Sequence, residues 1–111
     1  MKTILVTGAT SFIGTNLIKE LLKDYKVIAV VRPNSKKISM LPSSGNLSIL
    51  ELELKEYYKL AYIIQEPIFA FIHLSWGGTR GDGRNNIELQ EQNFNFSVDA
   101  LHSAVKLNAK I

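Results

Sequence analysis

With 111 residues, 46% of them hydrophobic and 21% charged, the chain has room for one domain (1–111) and a modest core. It contains no cysteine, which excludes a disulfide framework, a thiolate nucleophile and a cysteine-based metal site. A formal charge of +3 is too small and too scattered for a nucleic-acid groove, and no apolar run has the length of a membrane span or a secretory leader, so a cytoplasmic protein is expected.

In chain order, the apolar, β-branched run 3–7 reads as a strand buried on both faces. A helix follows over 12–23, with Ile13, Leu17, Ile18, Leu21 and Leu22 at helical spacing. A second buried strand covers 26–31 and ends at Pro33 and Asn34. Residues 35–45 read as loop with at most one helical turn. In the third strand, 47–54, Leu50, Leu52 and Leu54 alternate with Glu51 and Glu53, which predicts one wet face at a sheet edge. A helix over 56–65 turns Tyr57, Leu60, Ala61 and Ile64 to one side, and Pro67 closes it. A fourth strand spans 68–74. The stretch 77–84 carries four glycines and is expected to be a mobile loop. The last helix, 86–107, has an apolar stripe of Phe94, Val98, Leu101 and Val105, most simply core, broadened by Leu89, Phe96, Ala100 and Ala104.

Strands alternating with helices imply right-handed crossovers and a parallel, doubly wound α/β sheet of about four strands in the order 3-2-1-4. Such a sheet binds ligands at the carboxyl ends of strands one and four. The segment Thr7-Gly8-Ala9-Thr10-Ser11-Phe12-Ile13-Gly14 lies at that place, between a strand and a helix. Its bare backbone N–H groups and the helix dipole suit a pyrophosphate, so Gly8, Thr10, Ser11, Phe12, Ile13 and Gly14 are the expected contacts. Gly8 makes the tight turn, and Gly14 lets helix and strand pack closely. Ser11 stands where a third glycine would allow the closest approach, and its hydroxyl offers a donor instead. An ATPase phosphate loop fits poorly, because Thr15-Asn16 follows the last glycine where lysine and Ser or Thr are needed.

The second strand ends in Arg32, where an acid would hold the ribose hydroxyls of NAD. Arg32, with Asn34, Ser35 and Lys36 nearby, suits a 2′-phosphate, which favours NADP over NAD; the alternative is a solvated loop cation. Glu53 is either an acceptor for an adenine amine or a plain exposed carboxylate. His73 ends an apolar strand and reads as structural or cofactor-adjacent. His102 has no partner at metal-ligand spacing, and no metal site is expected. Arg80 and Arg84 are solvated loop charges or contacts to a substrate phosphate.

Over its whole length the chain resembles the N-terminal part of extended short-chain dehydrogenase/reductases of the NAD-dependent epimerase/dehydratase family. The turn resembles that family's TGxxGxxG with the middle glycine replaced. Glu53-Leu54 is similar to its Asp-Leu pair, and His73-Leu74-Ser75-Trp76 to its H-L-A-x segment. Asn93, in Gln90-Glu91-Gln92-Asn93, stands where the family has a structural asparagine. The resemblance implies a Rossmann-like dinucleotide-binding domain, with Leu54, Leu74, Ser75 and Trp76 also near the cofactor. It further implies a nucleotide-sugar substrate and a possible homo-oligomer through helix 86–107.

Members of the family transfer hydride to and from C4 of the nicotinamide, using a tyrosine with a lysine four residues on. Here the residues four after Tyr25, Tyr57, Tyr58 and Tyr62 are Ala29, Ala61, Tyr62 and Glu66, so the pair is absent. In the family it follows a fifth strand, which would begin here at Lys110-Ile111. The chain on its own is therefore expected to bind cofactor without turnover, and no catalytic residue is assigned. A cofactor-sensing module, and a split subunit or gene remnant, are the alternatives.

Overall fold

A computed structural model describes residues 1–75 and 86–110. Four parallel strands, β1 (Thr3–Thr7), β2 (Lys26–Val31), β3 (Leu47–Glu51) and β4 (Ala70–His73), form one sheet in the order β3-β2-β1-β4. This is the expected doubly wound order. The register pairs Val6 with Ala29 on one side and with Ile72 on the other, so β1 is central and wholly buried. The alternating β3 lies at the edge, with every residue at least partly exposed.

Two apolar layers flank the sheet. On one face, α1 (Phe12–Leu21) sets Ile18 against Ile4, Val6, Val27, Ala29 and Val31. On the other face, Leu5, Ile28, Val30 and Phe71 meet Tyr57, Leu60, Ile64, Ala100 and Ala104. These last residues come from a 3-10 segment (Leu54–Lys59), α2 (Leu60–Ile63) and α3 (Ile87–Lys106).

The single helix expected over 56–65 is instead this 3-10 segment followed by one α-turn. Leu54, Tyr57 and Leu60 recur every three residues, and a 3-10 turn of three residues stacks all three on one side. β1 and β2 have the expected bounds, whereas three elements are shorter: α1 stops at Leu21, β3 at Glu51, and β4 spans only Ala70–His73. Leu52 is buried beyond the end of β3, so the inward alternation outlasts the ladder.

The reading of the last helix requires a larger correction. Its bounds are close, with Asn86 capping the N-terminus through its side chain and Leu107 at the other end. Most of the stripe expected in the core is not there: Val98 is half-buried, but Phe94 is 64% exposed, Leu101 45% and Val105 63%. The inward side carries Asn93, Ala100, Ser103 and Ala104. Small side chains let the axis of α3 approach the sheet and the 3-10 segment closely, and Ser103 Oγ donates to the Tyr57 carbonyl at 2.7 Å. The larger apolar residues are left facing out.

At the far edge the chain returns to the sheet. Lys110 bridges Ala70 in parallel, accepting from the Phe71 N–H at 2.7 Å and donating to the Phe69 carbonyl at 3.0 Å. The edge of β4 is therefore occupied at this point.

Candidate functional site

The carboxyl ends of β1, β2 and β4 open onto a cleft of about 630 Å³. At its centre, Gly8 takes a left-handed φ of +66°, and a Cβ there would lie 2.7 Å from the Leu74 carbonyl carbon. Only glycine fits this crossing of two backbones. Gly14 stands behind the turn, where a Cβ would meet the Gly8 carbonyl oxygen at 2.5 Å.

Ser11 is the N-cap of α1, and its Oγ accepts the Gly14 N–H at 2.9 Å. The middle position of the glycine pattern therefore spends one helix-end donor on its own side chain. The N–H groups of Phe12 and Ile13 have no acceptor among the described residues. These two donors, the Ser11 hydroxyl proton and the helix dipole are what the turn offers an anion.

The strand-two side of the cleft is cationic. Arg32, Ser35, Lys36 and Lys37 line it, and none of the three cations is in an ion pair among the described residues. The turn that presents them is fixed by Glu51, whose Oε1 accepts the N–H of Asn34, itself at φ 59°. Ser35 then caps a 3-10 turn, Lys36–Met40, through the Lys37 N–H.

The strand-four side is neutral and hydroxyl-rich. Thr7 Oγ1 accepts the N–H of Leu74 at 3.1 Å and of Ser75 at 3.4 Å, so its proton goes to His73 Nδ1, 2.7 Å away. That assignment leaves the proton of His73 on Nε2, which donates to Ser97 Oγ at 3.2 Å. Both ring nitrogens are thus engaged, and burial holds the imidazole below its usual 6.5. The Tyr57 hydroxyl lies 2.6 Å from Ser75 Oγ, and burial pushes that phenol up from its ordinary range.

Of the residues singled out in the sequence, Gly8, Thr10, Ser11, Phe12, Arg32, Leu54, Leu74 and Ser75 line the cleft. Ile13 and Gly14 do not; the side chain of Ile13 points outward, and Gly14 acts through packing. Glu53 lines a smaller adjoining pocket of about 360 Å³ with Arg32, Pro33, Leu54, Lys55 and Phe96. Its Oε2 lies 3.3 Å from Lys55 Nζ. Trp76, Arg80, Arg84 and the glycine-rich stretch lie outside the described residues. Lys37 and Tyr57 were not anticipated as lining residues. Lys37 continues the basic run that was read only as far as Lys36, whereas Tyr57 gave no signal beyond helical spacing.

A parallel sheet with its cleft on a glycine turn at a helix N-terminus defines a dinucleotide-binding fold of the doubly wound class. The chain belongs to the NAD dependent epimerase/dehydratase family, which it matches over residues 4–111. It is 35% identical over 92 residues to CDP-abequose synthase of Salmonella muenchen, a match covering 82% of this chain and 28% of that protein. The fold is similar to that of the Bordetella bronchiseptica enzyme WbmH in complex with NAD+, with TM-score 0.78 and 22% identity over 97% of this chain and 36% of that one. It is also similar to UDP-N-acetylglucosamine 4-epimerase from Methanobrevibacter ruminantium M1 in complex with UDP-N-acetylmuramic acid, with TM-score 0.80 and 23% identity over 97% of this chain and 35% of that one. The chain thus spans about a third of the length of these relatives.

Proposed function

We propose that this chain is the cofactor-binding part of a nucleotide-sugar epimerase, dehydratase or reductase, and that it prefers NADP to NAD. The observation that carries the cofactor choice is the trio Arg32, Lys36 and Lys37, facing the cleft at the end of β2 with no ion-pair partner among the described residues. A 2′-phosphate there gains charge-assisted hydrogen bonds, whereas the paired ribose hydroxyls of NAD find no carboxylate among the described residues that line the cleft. The donors of Phe12, Ile13 and Ser11 take the pyrophosphate. When bound, the cofactor supplies a hydride acceptor and donor at the nicotinamide.

Support for the nucleotide-sugar class comes from the family and from relatives that act on or bind such sugars by name. No tyrosine here has a lysine four residues on, so the chain alone turns nothing over. A polypeptide bearing that pair, in line or as a partner, completes the enzyme. A binding module that senses NADP without catalysis is the alternative. The exposed stripe of α3 supports self-association through that helix.

Titration calorimetry of the purified chain with NADPH and with NADH tests the reading. Tighter binding of NADPH, by about tenfold or more, is expected from one charge-assisted contact. Equal affinities overturn the NADP preference, and no binding of either overturns the dinucleotide reading. Addition of a family polypeptide that carries the Tyr-x-x-x-Lys pair then separates enzyme part from sensor, because only the former gains turnover.

A further inference from the structure

The strand-four wall of the cleft holds a pair of hydroxyls whose placement exceeds what packing requires. Tyr57 is 3% exposed, yet it lines the cleft beside Ser75. Its main chain is tied to α3 by Ser103, and its ring stands edge-on to His73 at 6.0 Å. Ser75 is held from behind by its N–H to Thr7 Oγ1. The phenol and the serine hydroxyl thus meet at 2.6 Å with both side chains anchored.

Counting protons shows what the pair has left to offer. Two hydroxyls carry two protons, and one proton occupies the bond between them. Thr7 also faces the Tyr57 hydroxyl, and no further polar partner of either oxygen is present among the described residues. Whichever is the internal donor, the other hydroxyl keeps its proton and spare lone pairs. Thr7 cannot absorb that proton readily, because its oxygen already accepts two N–H groups.

We infer that the Tyr57–Ser75 pair reads the ligand, contacting a hydroxyl or carbonyl oxygen in the half of a dinucleotide remote from the cationic rim. This rests on the cofactor reading above. The rim of Arg32, Lys36 and Lys37 holds the adenosine phosphate end, and the glycine turn between the two walls holds the pyrophosphate. The remaining nucleoside then falls at the strand-four wall, where, among the described residues, the pair is a polar feature with capacity to spare. The raised phenol stays protonated through neutral pH, so the pair is a donor under all ordinary conditions. Its fixed geometry means that little side-chain freedom is lost on contact.

The test compares a whole dinucleotide with its adenine fragment. Calorimetry on the full chain uses NADPH and 2′,5′-ADP, or NADH and ADP if only NADH binds, with the unaltered chain, Tyr57→Phe, Ser75→Ala and the double variant. Each single change is expected to weaken the dinucleotide about five- to tenfold, as for one lost hydrogen bond, and to leave the fragment within about twofold. The double variant should be no weaker than either single, because the two hydroxyls act as one unit. Equal losses for dinucleotide and fragment would mean a structural role and overturn the inference, as would an unchanged dinucleotide affinity. Should Tyr57→Phe fail to fold, Ser75→Ala alone gives the comparison. An unaltered chain that binds neither dinucleotide overturns the cofactor reading, and this inference with it.

Discussion

The missing side chain of Gly14 faces the carbonyl of Gly8: a Cβ on Gly14 would sit 2.5 Å from that oxygen. The obstacle is backbone on a buried central strand's turn, which cannot step aside. Gly14→Ala is therefore expected to destabilise the fold by about 1–3 kcal/mol, the range of forced overpacking. Gly8→Ala adds a positive φ to a 2.7 Å clash with the Leu74 carbonyl carbon. Urea denaturation followed by circular dichroism checks both, and a midpoint unmoved in Gly14→Ala would contradict the packing argument.

Ser11 separates capping from ligand contact. Ser11→Ala removes the acceptor for the Gly14 N–H and is expected to cost about 1 kcal/mol, while Ser11→Gly costs only a few tenths. Both variants free the Gly14 N–H, but only glycine also removes the Cβ that limits close approach to the turn, so its affinity for NADPH should hold or improve, and that of the alanine variant should fall. Affinities falling equally in both would mean that the hydroxyl itself supplies the dominant contact.

At the cationic wall, Arg32→Ala is expected to weaken NADPH about tenfold or more and to leave NADH nearly unaffected. The side chain is exposed, so the melting temperature should barely move. Glu51→Ala releases the Asn34 N–H and should produce a milder loss of the same selectivity. A ratio of NADH to NADPH affinity unchanged by Arg32→Ala would sink the assignment of the rim.

His73 gives the fold a pH dependence of known sign. Burial lowers its folded pKa below 6.5, so on acidification the unfolded chain takes up the proton first. Its contribution is complete above that value and is lost as pH falls through and below it. Melting temperatures measured from about pH 7.5 down to about 5.5 should decline, and His73→Gln should flatten the decline. An equally steep fall in the variant would place the acid sensitivity elsewhere.

The outward stripe of α3 predicts self-association. Phe94 and Val105 touch little within the fold, so Phe94→Glu with Val105→Glu should leave thermal stability close to that of the unaltered chain. Sedimentation velocity is expected to show oligomers for the unaltered chain and a monomer for the double variant. A monomeric unaltered chain would show that the stripe has another use.

Sheet order and the position of the turn were legible because both rest on local signals: runs of Ile and Val for buried parallel strands, and glycines between a strand and a helix. The edge position of β3 followed from a single alternation, Leu50 to Leu54. The face of α3 was not legible in the same way. Hydrophobic spacing shows that a helix is amphipathic, but Phe94, Leu101 and Val105 outweigh Ala100, Ser103 and Ala104 in any such count. The small residues were the better sign, since close approach to a sheet favours them. Tyr57 escaped notice for another reason. Its partner Ser75 is 18 residues away, and only the 3-10 winding of Leu54–Lys59 turns the phenol toward it.

The two walls of the cleft also differ in how far along the chain their ties reach. The tie that fixes the cationic turn, Asn34 to Glu51, closes over 17 residues, whereas Thr7 and His73 meet across 66. Contacts between distant residues must close long loops before they contribute any stability, so they form late as a chain collapses. Folding should thus bring together β1, β2 and the cationic rim before β4 zips onto β1 and delivers its hydroxyls. If the two walls act as proposed, a nascent chain would acquire affinity for an anion ahead of any ability to judge what the anion is attached to.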